Sequence, residues 1–500
     1  MIWGMGIVAG LDSSTEGTTV VVCDADTGAV LRQGYAPHPV VPLGDATRAT
    51  AETGTPAAQR IEINPQAWLL SLGEAAKKGL LEGVEAIGVS AQQHGLVALD
   101  AGGVLVRPAM LWNDKRAQLA ATDLTDELGG PAGWAEAVGC VPQAPYPVSK
   151  LRWLARNEPA SAERIAEVLL PHDWLVWQLL GRPARRTTDR GDASGTGYWS
   201  AATGAYRGDL VELALGHQVR MPEVLGPSEP AGHTPEGLLI SAGTGDNMAA
   251  GLGLGVGPGD AVVALGAAGT VFAVHHEALT DPTGAITAFA DATGRHLPVV
   301  QTRNAVRALR GTAEMLGTDL AGLSALALRS TPGSYGVVML PYLEGERTPH
   351  LPYTAGMLSG LRRESMKPEH VARAAFEGML CGLADALDLL RMRGVRVRRV
   401  FLLGSAGELP AVQAVAPSVF GVPIVVPQPA DYAALGAARQ AAWALAEQRG
   451  SAYPQEPPHW ESAAFRIVEP GEELPSGSAV RQQYAAVREK THPGAFGQAP

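Results

Sequence analysis

Ile7-Val8-Ala9-Gly10-Leu11-Asp12-Ser13-Ser14-Thr15-Glu16-Gly17-Thr18-Thr19-Val20-Val21-Val22-Cys23 is the stretch from which the fold can be read. Two β-prone runs, Ile7–Leu11 and Thr18–Cys23, flank a turn-rich connection, so the segment predicts a hairpin. A related arrangement returns far downstream. Ala261–Leu265 is β-prone, Gly266-Ala267-Ala268-Gly269 is a tight connection, and Thr270–Val274 resumes the strand. Each hairpin is followed by a turn, Asp26-Thr27-Gly28 in one case and Asp281-Pro282-Thr283-Gly284 in the other. Two like units half a chain apart suggest a duplicated architecture, one unit per domain.

Outward from the hairpins, predicted strands alternate with amphipathic helices. Val84–Ser90 reads as a buried strand, and Leu151–Arg156 and Ile165–Leu180 have helical spacing. Pro368–Arg393 reads as a long helix, Val400–Leu403 as a strand, Leu409–Phe420 as a helix and Ile424–Val426 as a strand. Tyr432–Gln448 closes the series as an Ala-rich helix. Such alternation is α/β, with mostly parallel central sheets.

A chain of 500 residues is too long for one hydrophobic core, so two large domains are expected. The boundary is placed at Gly232–Leu239, which gives domains 1–238 and 239–450. An extension over 451–500 is rich in Pro, Glu and Ser, with one predicted helix at Val480–Lys490. The net charge of −11 repels phosphate backbones, which argues against nucleic acid as the main partner. No segment is long and apolar enough to span a bilayer, and the apolar run Ile2–Leu11 lacks a basic flank and stops at Asp12. Cys23, Cys140 and Cys381 are scattered and without metal-ligand spacing, as small core residues in a reducing compartment would be. A cytoplasmic protein is the expectation.

Several polar groups fall at predicted strand ends. Asp246, in Gly243-Thr244-Gly245-Asp246-Asn247, follows the predicted strand Leu239–Ala242 and precedes a Gly/Ala-rich helix start. A carboxylate there suits a general base, and a helix N-cap is the competing reading. Asp12 ends the first strand, where it can hold Mg²⁺ through the ion's waters, and short Gly/Ser/Thr loops can cradle phosphates. Two ordinary turns are the competing reading. Neither loop fits the Walker pattern, and no Gly-x-Gly-x-x-Gly opens a helix after the first strand. Gln92-Gln93-His94-Gly95 and Trp112-Asn113-Asp114 offer amides, an imidazole and an aromatic face, a pairing that suits a polyhydroxylated ligand. Asp189 and Asp192 read as turn and cap carboxylates rather than metal ligands.

Together these segments resemble the FGGY-type carbohydrate kinases. Leu11-Asp12-Ser13-Ser14-Thr15 is similar to that family's first phosphate hairpin, and Gly245-Asp246-Asn247 to its catalytic loop. Gly356-Met357-Leu358-Ser359-Gly360-Leu361, with His370-Val371 and Ala374-Ala375-Phe376-Glu377, is similar to its second signature. Pro147–Trp153, with Lys150 and Trp153, approximates the first signature, although Pro145 departs from its opening position. Gln93-His94-Gly95, Leu111-Trp112-Asn113-Asp114 and Pro341–Pro349 narrow the resemblance to the xylulose kinase branch.

The resemblance implies two actin-like (ribonuclease-H-type) domains with the active site in the interdomain cleft. The sugar would lie mainly on the first domain, and ATP with Mg²⁺ mainly on the second. Asp246 would be the base, taking the proton of the sugar's 5-hydroxyl, with Gln93, His94, Asn113, Asp246 and Asn247 around the sugar. Ser14, Thr15, Gly266, Gly269, Thr270, Gly404 and Ser405 would meet ATP, and Asp12 the metal. The reaction implied is ATP-dependent phosphorylation of a ketopentose, D-xylulose, in xylose catabolism. A homodimer is the macromolecular assembly the resemblance allows.

Departures cluster on the nucleotide side. Where the family usually has a basic residue this chain has Thr19, and where it has Gly-Thr-Ser-Gly this chain has Gly266-Ala267-Ala268-Gly269. The adenosine loop, usually glycine-rich and followed by Ala-Arg, reads Gly404-Ser405-Ala406-Gly407-Glu408. A lost transition-state donor costs roughly 2.7–4 kcal/mol in favourable cases. Two alternatives therefore stay open: a pseudokinase that binds sugar or a partner protein, and a kinase for another pentulose or a polyol.

Overall fold

A computed structural model describes residues 6–41, 61–77, 79–450, 456–460, 465–470 and 474–496. Their contacts divide the chain into two units. The first comprises the described residues of Met1–Val256, Ala288–His296 and Asp431–Ser462; the second those of Gly257–Thr287, Leu297–Ala430 and Ala463–Pro500.

In the first unit the predicted hairpin is present. Ile7–Ser13 pairs antiparallel with Gly17–Asp24 and parallel with Val84–Ala91. The sheet runs in the order Gly232–His233, Leu239–Ile240, Val84–Ala91, Ile7–Ser13, Gly17–Asp24, Val30–Pro37, and Thr244–Gly245 also pairs with Val84–Ala91. Strand alternation sorts the side chains to two faces. Ala9, Leu11, Val20, Val22, Ile87 and Val89 enter one core, whereas Val8, Val21, Cys23 and Ala86 enter another with Ala434, Ala438, Ala441 and Ala442.

The Ala-rich helix Tyr432–Gln448 therefore lies on the first unit's sheet. Two glycines make the approach possible. A Cβ on Gly10 would sit 1.9 Å from the Ala434 carbonyl oxygen, and one on Gly88 1.9 Å from that of Ala437. The expected division at residue 239 differs from this grouping, because Leu239–Val256 and the helix Tyr432–Gln448 both pack with the N-terminal sheet.

The second unit repeats the plan. Gly259–Leu265 pairs antiparallel with Gly269–Ala273 and parallel with Val397–Leu403. His296–Thr302 flanks the hairpin on one side, and Ile424–Val426 then Arg466–Val468 extend the other side. The helix Pro368–Met392 carries much of the core, through Phe376, Met379, Leu383 and Leu387. The C-terminal helix Leu474–Thr491 is part of this unit rather than a loose extension. Val480 and Tyr484 join its core, Tyr484 and Tyr342 share a 2.9 Å hydroxyl contact, and Arg481 and Arg488 meet the buried Asp385.

One predicted element is corrected. Ile165–Leu180 is not a single helix but a strand, Glu167–Leu169, followed by a helix, Pro171–Leu179. Proline has no N–H to donate within a helix and disfavours helical geometry in the residue before it, so Pro171 opens the helix. Among the described residues no helix is long and apolar enough to cross a membrane. The three cysteines are free and buried, and burial pushes the Cys23 and Cys140 thiols up to about 12, so they act as core side chains.

Candidate active site

The pairing register lines up the C-terminal ends of the parallel strands. Asp12 stands opposite Ser90, and Thr244 pairs with Ser90 from the other side. Strand ends are where backbone direction delivers side chains to a ligand in α/β sheets. Asp12 is buried and accepts the Ser90 hydroxyl at 2.7 Å. Burial raises its proton affinity well above the usual carboxylate range; the charge of Asp431 and, less, that of Asp246 add to this, while the Ser90 hydrogen bond opposes it. Carboxylates that repel one another in this way fit a cation. Among the described residues no three acidic, His or Cys groups could clasp a metal directly.

Asp246 is not the helix N-cap. Gly245 occupies that position without a side-chain cap, and Asp246 is the first residue of the helix Asp246–Leu254. Its Oδ1 accepts the Asn247 backbone N–H at 2.8 Å and Asn247 Nδ2 at 3.1 Å. Asn247 Nδ2 also donates to Gln93 Oε1 at 2.9 Å. Burial first, and the Asp192 charge second, push the Asp246 carboxyl up to about 7, against the hydrogen bonds from Asn247 and Gln93. A carboxylate near neutrality is poised for proton transfer.

Gln93 Nε2 and Gln92 Oε1 are buried without a protein hydrogen-bond partner. Buried polar groups are rarely left so, which makes these two atoms candidate contacts for a polar ligand. His94 has φ +64°, a conformation a non-glycine residue rarely adopts. The fully buried Lys150 holds it there, donating to the His94 carbonyl at 2.6 Å and to that of Met110 at 3.1 Å. His94 Nδ1 lies 2.9 Å from the Gly195 carbonyl and so carries the proton, which makes Nε2 the acceptor. Tyr146 and Phe289 flank the ring at 4.8 and 5.8 Å.

The Trp112–Asp114 loop is braced from below. Asp114 is buried and accepts from Arg116, whose guanidinium also pairs with Glu62 and lies 4.7 Å over the Trp153 ring. Trp112 Nε1 donates to Thr15 Oγ1 at 2.9 Å, which ties this loop to the first hairpin's turn. Asn113 sits half-buried between them. The Ser14 hydroxyl is engaged in its own turn, donating to the Gly17 carbonyl at 3.0 Å.

In the second unit, Leu265 pairs with Gly269 and Ala264 with Leu403, so the Gly266–Ala268 loop and Gly404 are neighbours at one sheet edge. The carbonyls of Gly266 and Ala267 accept N–H groups from the first turn of the helix Val306–Met315. The loop is thus shaped by its backbone, without the hydroxyls it lacks. Gly404 has φ +101°, and a Cβ there would lie 2.9 Å from the Leu265 carbonyl oxygen. Thr270 pairs with Gln301 on the adjoining strand, and Ser405 is exposed at the start of a short turn.

Two features escape a reading of the sequence. Lys150 was only a signature residue, and nothing local told that it supports His94. His172, in Pro171-His172-Asp173, was hidden inside a run read as one helix; the Pro171 break was the signal. In the structure its Nδ1 lies 2.7 Å from Asp192 Oδ2, and Asp189 caps the turn Arg190–Ala193 as expected.

Comparison with known proteins gives consistent matches. Residues 7–253 match the N-terminal domain, and residues 261–445 the C-terminal domain, of the FGGY family of carbohydrate kinases. A xylulose kinase of Streptomyces coelicolor is 39% identical over 474 residues, which cover 93% of this chain and 92% of that protein. One from Haemophilus influenzae is 30% identical over 463 residues, 88% and 90% of the two chains. The crystal structure of xylulose kinase from Bifidobacterium adolescentis superposes with a TM-score of 0.85 at 36% identity, covering 96% of this chain and 99% of that one.

Proposed function

Because the chain belongs to the FGGY family of carbohydrate kinases, we propose that it transfers the γ-phosphoryl group of ATP to a ketopentose, D-xylulose, at the 5-hydroxyl. The observation that carries this reading is Asp246: a strand-end carboxylate raised to about 7 and tied through Asn247 to Gln93. Above that pH it is ionised and can accept the hydroxyl proton as the sugar oxygen attacks phosphorus.

Gln93, His94, Asn113 and Asn247 hold the sugar. The unpaired amide atoms of Gln92 and Gln93 supply an acceptor and a donor for its hydroxyls. Positioning of this kind contributes much of the rate in phosphoryl transfer. Asp12 would hold Mg²⁺ through the ion's waters, and the ion would offset charge on the phosphates. The residues that would meet ATP are Ser14 and Thr15 in the first unit and Gly266, Gly269, Thr270, Gly404 and Ser405 in the second.

Ala267 and Ala268 favour a second reading, a sugar-binding protein with little turnover. The backbone bonds that shape their loop support the kinase instead. ATP consumption across a panel of ketopentoses and polyols, with a no-sugar control, separates the two. Ketopentose-dependent consumption supports the proposal, a preference for polyols refutes the substrate, and sugar binding without consumption refutes the kinase.

A further inference from the structure

The loop Gly243–Asp246 is held from two sides. On one, Gln440 accepts the Gly243 N–H and donates to the Gly243 carbonyl, each at 3.0 Å. On the other lies a set of ionisable side chains with no part in the chemistry above: His172, Asp173, Asp189 and Asp192, none more than 3% exposed. His172 Nδ1 is 2.7 Å from Asp192, and its Nε2 is 3.1 Å from Asp173 and 3.9 Å from Asp189. Asp189 accepts the N–H groups of Gly191 and Asp192, and the Thr244 hydroxyl at 2.7 Å.

The packing is tight. A Cβ on Gly243 would lie 2.6 Å from His172 Cδ2, and one on Gly191 2.7 Å from Met248 Cγ and 3.1 Å from Thr244 Oγ1. The cluster therefore touches residues on both sides of Asp246 in the chain. Buried ionic groups are poor value as pure structure, because apolar residues of like volume often stabilise as well or better. Several of them under one reactive carboxylate point to a task beyond folding.

We propose that His172, Asp189 and Asp192 form a seat for Asp246, in which Asp189 fixes the loop through Thr244 and Asp192 holds His172 against Gly243. This rests on Asp246 being the base. The charges facing Asp246 are Asp192, from the turn Arg190–Ala193, and Asp12, from the end of the first strand; Asn247 and Gln93 face it with hydrogen bonds. Asp173, Asp189 and Asp192 face His172, and the phenols of the buried Tyr198 and the half-buried Tyr206 lie beside these acids. Burial alone would lower the proton affinity of His172, but its acidic neighbours raise it to about 9, so it is cationic at neutral pH. The sign follows: a negative charge near Asp246 favours its protonated form, so deleting that charge lowers the pH at which the base ionises.

The test is the pH dependence of kcat at saturating ATP and sugar, for the wild type and three variants. Asp192→Asn is expected to move the acid limb down by roughly half to one pH unit with a lower plateau. Thr244→Val leaves every charge in place, so its limb should stay while kcat falls several-fold. A folded Asp192→Asn enzyme with the wild-type limb overturns the seat. If Asp192→Asn does not fold, undiminished kcat in Thr244→Val overturns it. Asp246→Asn separates the two levels. Near-wild-type kcat there sinks the base itself, whereas loss of kcat beside an unmoved Asp192→Asn limb sinks only the seat.

Discussion

Lys150→Met should change stability by an amount that depends on pH. Lys150 is fully buried, and burial lowers its proton affinity from the ordinary 10.5 to about 7, with Asp114 opposing and Arg116 adding. Its neutral amine serves two carbonyls, His94 and Met110. The unfolded chain binds a proton here that the folded chain lacks between about pH 7 and pH 10.5, so wild-type stability rises with pH across that range. At 1.36 kcal/mol per unit, the interval of about 3.5 units is worth about 5 kcal/mol. Methionine removes this dependence and leaves the His94 carbonyl unpaired, at about 1–3 kcal/mol, while the Met110 carbonyl keeps the Leu96 N–H at 2.9 Å. The variant should therefore be the more stable protein near neutrality, and the wild type should overtake it as the pH rises towards about 10. Urea unfolding of both proteins at about pH 7.5 and about 9.5 measures the difference, which should move in favour of the wild type by about 2–3 kcal/mol. A difference independent of pH would show that Lys150 stays charged in the fold and would refute the reasoning. A roughly tenfold rise in sugar KM should accompany the substitution, because His94 loses the support for its left-handed backbone.

Gly88→Ala should destabilise the first unit by about 3 kcal/mol or more, read from the urea midpoint, since the new methyl would fall 1.9 Å from the Ala437 carbonyl. Asp385→Ala strands the buried Arg488 guanidinium, while Arg481 keeps Asp388, costing about 3–5 kcal/mol and opening the C-terminal helix to limited proteolysis. Restoring the family's usual residues with Thr19→Lys, Ala267→Thr and Ala268→Ser should raise kcat/KM for ATP and leave the ranking of sugars unchanged. Thr19 pairs with Asp12 across the hairpin, so the new lysine would have a carboxylate partner. Steady-state kinetics with no gain would show that the loop's backbone donors suffice.

The repeated plan was legible because both hairpins are local. Two β-prone runs flanking a turn-rich connection, in Ile7–Cys23 and again in Ala261–Val274, need no distant contact to be recognised. The strand-end positions of Asp246, Gln93 and His94 were legible because glycines and polar groups follow the apolar runs. What connects distant segments was not. Tyr432–Gln448 is a helix by composition, but its place on the first sheet depends on Gly10 and Gly88, whose missing side chains give no local sign of what fills the space. His172 and Asp192 are 20 residues apart and meet because His172 lies in the first turn of the helix Pro171–Leu179 while Asp192 lies in the turn that follows the strand Thr187–Asp189. Lys150 meets His94 across 56 residues, a pairing set by tertiary packing alone.

The most direct test of the account is transfer of phosphate from ATP to D-xylulose by the wild type and by Asp246→Asn, with sugar binding measured in parallel. The account predicts a wild type that makes the 5-phosphate, and a variant whose kcat falls by about 10²–10⁴-fold while its sugar affinity stays within a few-fold. A variant that turns over at close to the wild-type rate would contradict it, as would a wild type that binds the sugar and leaves ATP intact.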